Sequence, residues 1–145
     1  MEFQNPSNTI FYQIEKAIKQ YRTMAQTNLN KLGYKITINQ ILLMIQIDRK
    51  PEISLVELAE LLFKDVASIT RMTELLVKED FVERKENKDD RRKKDLKITP
   101  KGKKLLDLAI PVILQNRETA QKNITQEERD TLYNILNKII LNTSS

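Results

Sequence analysis

The sequence predicts a mainly α fold that carries one small β-hairpin. Three observations predict it. Apolar residues recur at three- and four-residue steps over most of the 145 residues, the pattern of helices that bury one stripe. That period gives way once, between Phe81 and Thr99, to the alternation of short strands. Only two glycines are present, which leaves little room for long loops. The length suits one domain of about 100–150 residues, and 40% hydrophobic residues suffice for a core.

The elements follow in order. From about Asn8 to Leu32, Ile10, Phe11, Ile14, Ile18, Tyr21, Ala25, Leu29 and Leu32 mark one stripe of a long helix, with Pro6-Ser7-Asn8 as start chemistry and Gly33 as stop. Such a helix would be about 37 Å long, long for a small monomer and suited to packing against a second subunit. "TINQILLMIQI" opens with a Thr37/Gln40 capping box, and apolar Ile38, Ile41, Leu42 and Ile45 follow. "SLVELAELL" repeats the box with Ser54 and Glu57, burying Leu55, Leu58, Ala59 and Leu62. Phe63-Lys64 makes a tight connection, and Asp65 caps "VASITRMTELLVKED".

"FVERK" and "DLKIT" then read as two strands with Val82, Leu96 and Ile98 inward, joined across Glu86–Lys94. Thr99 caps and Pro100 opens the next helix, where proline is favoured. Its stripe is Leu105, Leu106, Ala109, Ile110, Ile113 and Leu114, and Pro111 should bend it. A Thr125/Glu128 box starts the last helix, with Leu132, Ile135, Leu136, Ile139 and Ile140 on one stripe. Two short helices joined by about three residues match a helix-turn-helix. The hairpin that follows makes it a winged one.

Charge is concentrated in that hairpin. Residues 83–104 hold eleven Lys/Arg against five Asp/Glu, a net of +6; the whole chain carries +5, so the rest sums to −1. A focused basic patch suits a polyanion or an anionic membrane surface. There is no cysteine and no histidine. Disulfides, thiol redox sensing, the usual zinc sites and Ser–His or Cys–His catalysis are therefore excluded. No Gly-rich phosphate loop appears either, so no cofactor, no metal and no enzymatic activity are expected. No apolar run approaches the ~18 residues of a membrane span, and the polar, acidic start is no secretory signal. The expectation is a cytoplasmic protein with no membrane partner.

On the second helix of the helix-turn-helix, about 100° per residue puts Ile69, Met72, Thr73 and Leu76 on the buried face, with Val66 at its edge. Ala67, Ser68, Thr70 and Arg71 lie on or beside the opposite side. Small residues let a helix approach the floor of the major groove. Arg71 can offer two donors to guanine, Ser68 and Thr70 can bond a base or a phosphate, and Ala67 can touch a thymine methyl. The same face also suits a merely solvated helix; the element order and the basic hairpin favour DNA.

"DDRRKKDLKIT" contains Asp90-x-Arg92-x-x-x-Leu96-x-Ile98-Thr99, followed by Pro100-Lys101-Gly102. This resembles the wing signature of the MarR family of bacterial transcription regulators. "ITINQILLMIQI" is similar to the family's second helix, and "SLVELAELLFKDVASITRMTELLVKEDFVER" to its helix-turn-helix and first wing strand. The resemblance implies a ligand-responsive repressor that binds a pseudo-palindromic operator as a homodimer. Residues 35–100 would form the winged helix-turn-helix lobe, and 8–32 with 101–143 the dimerisation region.

It further implies that helix 66–79 enters the major groove and that Arg92 tips a wing in the minor groove, oriented by a hydrogen bond that Asp90 accepts. Lys88, Arg91, Lys93 and Lys94 would supply phosphate contacts. Many family members bind a small lipophilic or aromatic effector; Tyr12, Tyr21, Met24, Tyr34 and Met44 are the candidates here. Two departures stand out. Asp80 replaces the family's usual glycine, and since Asp tolerates left-handed backbone the turn should survive. Pro111 falls in a helix of the implied dimer interface. A winged-helix adaptor without a DNA site, or an RNA-binding hairpin, is the rival reading. The absence of a strand-borne aromatic pair argues against RNA.

Overall fold

The computed structural model describes residues 1–144. A 3-10 turn, Pro6–Asn8, precedes α1 (Ile10–Asn30). Then come α2 (Ile38–Arg49), α3 (Leu55–Leu62), α4 (Val66–Lys78), β1 (Val82–Glu86), β2 (Lys94–Ile98), α5 (Pro100–Ala120) and α6 (Gln126–Thr143). The fold is mainly α with one hairpin: a winged helix-turn-helix flanked by long terminal helices. Among the described residues, no helix is long and apolar enough to cross a membrane.

Most starts and stops follow from local chemistry. Thr37/Gln40 and Thr125/Glu128 both close full capping boxes. Gly33 ends the α1 region at φ 82°. Thr9, one residue past the expected start chemistry, caps α1. At α3 only half of the expected box forms. Ser54 accepts from the Glu57 N–H, but the Glu57 carboxylate turns to Lys50 at 2.8 Å. An ammonium within reach outcompetes the neutral Ser54 N–H, because a charge-assisted bond is the stronger one.

The core gathers Leu29, Ile41, Met44, Ile47, Leu58, Ile69, Leu76, Leu105 and Leu106. α2 lies at its centre, with α1, α3, α5 and β2 against it. That position buries Ile41, Leu43, Met44 and Ile47, with Ile38, Leu42 and Ile45 partly buried beside them, so α2 is buried on more than one face. α5 runs past Pro111, which cannot donate to the Asp107 carbonyl.

One side chain joins α1 to the start of α2. The Gln26 amide donates to the Ile36 carbonyl at 3.0 Å and accepts from the Ile38 N–H at 3.0 Å. It therefore grips the backbone on both sides of Thr37.

α6 contrasts with everything before it. It has no buried residue. Leu132, Ile135, Ile140 and Leu141 are exposed, from 46% at Ile135 to 73% at Leu141. Ile10, Phe11, Ile14 and Ile18 on the first half of α1 are exposed too.

Candidate nucleic-acid interface

Two elements build the site, α4 and the hairpin. α4 begins at Asp65, whose carboxylate accepts the Ser68 N–H at 2.7 Å. That bond, with the nearby positive charges of Arg71 and Lys64, holds the Asp65 pKa below its ordinary value. Ile69, Thr73 and Leu76 face the core and Met72 packs at its edge. Thr73 is a buried hydroxyl, satisfied by the Ile69 carbonyl at 2.8 Å. Val66, expected at the edge of the buried face, is 41% exposed.

The outward side carries the expected residues. Ala67 and Arg71 are exposed, and Ser68 and Thr70 are half-buried beside them. Arg71 lies along the helix, its Nη2 donating to Ser68 Oγ at 3.1 Å. The Thr70 hydroxyl donates back to the Val66 carbonyl at 2.9 Å. Both contacts are local, between residues three or four apart on the same helix.

α4 ends in a tight left-handed turn. Asp80 sits at φ 63°, the geometry for which a glycine is usual. The Phe81 N–H reaches the Leu76 carbonyl at 2.9 Å and the Asp80 N–H that of Val77 at 3.0 Å. These two bonds satisfy carbonyls that the helix end leaves free.

The hairpin is antiparallel, with Val82 opposite Ile98 and Glu86 opposite Lys94. Val82, Leu96 and Ile98 are buried, as the alternation predicts. The connecting loop is shorter than expected, because Glu86 and Lys94 pair within the ladder. Asn87 organises the turn. Its Oδ1 accepts the N–H groups of Asp89 at 2.8 Å and Asp90 at 3.1 Å, while its Nδ2 reaches Asp95. Asp90 braces Arg92, but through the Arg92 backbone N–H at 3.0 Å rather than the guanidinium. The backbone N–H lies two residues on, within reach of a short Asp side chain; the guanidinium extends away. Lys88, Arg91, Arg92, Lys93 and Lys94 are all exposed, and among the described residues none of them forms an ion pair.

A cleft of ≈ 310 Å³ separates the helix-turn-helix from the hairpin, lined in part by Ser54, Thr70, Thr73, Arg84, Lys93 and Lys94. It brings α4 and the basic turn to one place. Arg84 was not singled out from the sequence; its place two residues after Val82, on the same face of β1 and opposite Leu96, was the available signal.

The five effector candidates do not converge. Tyr12 is exposed on the first half of α1. Tyr21 and Met24 are half-buried farther along that helix. Tyr34 packs against Phe81 with ring centroids 6.2 Å apart, and Met44 is fully enclosed in the core. A separate cavity of ≈ 330 Å³ lies between α2 and α5, lined by Ile45, Leu106, Ile110, Ile113 and Leu114 with Asp48, Arg49 and Arg117. Its apolar residues belong to stripes that sequence assigned to packing alone.

Comparison with known proteins agrees with this geometry. Residues 36–94 match the MarR family. The chain is 27% identical over 119 residues to the HTH-type transcriptional regulator BilQ of Clostridium symbiosum, covering 82% of this chain and 81% of that protein. It is 37% identical over 76 residues to the uncharacterized HTH-type transcriptional regulator YhbI of Bacillus subtilis, covering 52% and 49%. Among solved structures, a MarR variant from E. coli complexed with operator DNA superposes with a TM-score of 0.80 at 26% identity, over 94% of this chain and 99% of that one. BpsR of Bordetella bronchiseptica, solved to explain regulation of its DNA binding by 6-hydroxynicotinic acid, gives a TM-score of 0.83 at 19% identity over 99% and 100%. The motif, the fold and the matched segment agree: residues 36–94 match the MarR family, within a winged helix-turn-helix fold that the chain shares with MarR regulators.

Proposed function

We propose that the chain is a ligand-responsive repressor that binds a pseudo-palindromic DNA operator as a homodimer. One observation carries the DNA reading. α4 shows a small, polar face with a single arginine, and beside it stands a hairpin turn whose exposed cations have no acidic partner within ion-pair distance. Unneutralised charge of this density favours a polyanion, since binding releases the counterions condensed on nucleic acid. In this reading Ala67, Ser68, Thr70 and Arg71 meet base edges and nearby phosphates. Arg92 enters a narrow minor groove, where the negative potential is deepest. Lys88, Arg91, Lys93 and Lys94 contact phosphates, and Asp90 shapes the turn.

The dimer follows from α6 and the first half of α1. Both leave a row of large apolar residues exposed, which a partner would remove from water. A second copy would cover them, with residues 8–32 and 101–143 forming the shared stem and 35–100 the reading lobe. A small lipophilic or aromatic effector completes the proposal; the scatter of Tyr12, Tyr21, Met24, Tyr34 and Met44 argues against those five as its joint contacts.

Selection of DNA fragments from a random pool tests the function. Recovery of symmetric sites with half-sites about one helical turn apart is expected of a two-fold dimer. No enrichment of any duplex at moderate salt would overturn it.

A further inference from the structure

The turn between α3 and α4 holds a residue that the fold does not explain. Phe63 lies in the left-handed region at φ 55° and ψ 41°. The turn requires this. The Lys64 N–H returns to the Ala59 carbonyl at 2.9 Å and the Phe63 N–H to that of Glu60 at 3.3 Å, the bond pattern that closes a helix through a left-handed residue. Glycine adopts that backbone freely, whereas a residue with a Cβ, and a bulky one above all, is disfavoured there. A buried ring could offset the penalty, but the Phe63 side chain is 86% exposed.

Its position suggests what the ring is for. Phe63, Lys64, Asp65, Val66 and Ala67 are five consecutive exposed residues at the entrance of α4. Three of them are apolar. On the end of a helix that leads into the major groove, an apolar side chain has one specific partner among the base edges, the C5 methyl of thymine. We propose that Phe63, together with Val66, reads a thymine methyl at the edge of each half-site and so helps determine operator specificity. The inference rests on the proposed DNA-reading role of α4. The contact is neutral, so it should leave the salt dependence of binding untouched.

The test combines a protein change with a one-methyl change in the DNA. The operator is first selected with the wild-type protein, and each thymine of it is then replaced by uracil in turn. Phe63→Gly should melt at the same temperature or higher, bind the intact operator roughly three- to tenfold more weakly, and keep the wild-type salt slope. Replacing one symmetric thymine pair should weaken the wild type by a similar factor and Phe63→Gly not at all. Phe63→Asn, which also suits left-handed backbone, should repeat the result and guards against a folding defect in the glycine variant. Wild-type affinity in both variants, or equal sensitivity of wild type and variants to every uracil, would overturn the thymine contact alone. Failure of the wild type to select any duplex would instead overturn the DNA-reading role on which it rests.

Discussion

The hydroxyl of Thr99 donates to the carbonyl of Asp80 at 2.6 Å, fastening the first turn of α5 to the residue that closes α4. The same hydroxyl accepts the Gly102 N–H at 3.0 Å. Alongside it, the Lys101 ammonium donates to the Glu79 carbonyl at 2.8 Å and lies 4.8 Å from the centre of the Phe81 ring. Three successive elements of the reading lobe are thus joined at one point. Thr99→Ala loses a helix cap, about 1 kcal/mol, and leaves a part-buried carbonyl unpaired, about 1–3 kcal/mol. Denaturant titration should show a loss of about 2–3 kcal/mol, and Thr99→Ser should recover most of it.

Gly102→Ala tests the same joint by bulk. A Cβ there would stand 2.2 Å from the Phe81 carbonyl oxygen and 2.8 Å from Ile98 Cγ2. One is backbone and the other is held in the core, so α5 must shift. A destabilisation of about 1–3 kcal/mol is expected, although alanine is elsewhere the better helix former by about 1 kcal/mol. An unchanged unfolding midpoint would show that α5 can withdraw from Phe81 at no cost.

Asp65 predicts an acid-sensitive start to α4. Its folded pKa lies below the ordinary 3.8 because the Ser68 N–H bonds the charged form. The stabilisation is therefore complete above about 3.8 and is lost as pH falls through the lower folded value. The stability difference between wild type and Asp65→Ala should be constant from pH 7 to about 5 and shrink below 4. Chemical denaturation at a series of pH values would check it; a difference that grew on acidification would contradict the sign.

Arg92→Ala and Arg71→Ala should fail differently. Arg92→Ala removes a wing charge, so affinity should fall severely across sequences, with a salt slope shallower by about one. Arg71→Ala should cost about 1–3 kcal/mol at one base and relax the preference there. Titrations of matched and mismatched duplexes at several salt concentrations would separate the two. Full operator affinity in Arg92→Ala would remove the wing from the interface.

Charging the α6 stripe should abolish assembly. Ile135→Glu places a carboxylate on a face that the proposed partner covers, where an unpaired charge costs several kcal/mol. Light scattering should report a monomer, and operator binding should drop with it. A dimer that survives this change would relocate the interface.

Much of the architecture was legible because its determinants are local. Thr37 with Gln40, Thr125 with Glu128, and Thr99-Pro100 each announce a helix within four residues. Hairpin alternation placed Val82, Leu96 and Ile98 correctly on the core face. Asp80 was expected to hold a glycine's place, and it does so at φ 63°. What escaped depends on neighbours distant in sequence. α2 is surrounded by four elements, so its apolar residues have no single inward stripe. Glu57 has two partners within reach, and only the fold reveals that Lys50 wins. In the candidate interface the residue types were readable, but their couplings were not. Arg71 resting on Ser68, Asp90 bonding a backbone N–H, and the outward ring of Phe63 are set by rotamer and turn geometry.

The Gln26 amide holds the chain on either side of Thr37, where α2 begins and the proposed reading lobe would leave the proposed stem. A lobe swinging about this joint must surrender both bonds together, since neither backbone group can move far while the other stays clasped. In the proposed dimer, a molecule that opened this clasp would change how α1 meets α2, and Gln26, a neutral side chain far from the basic hairpin, would set part of the cost.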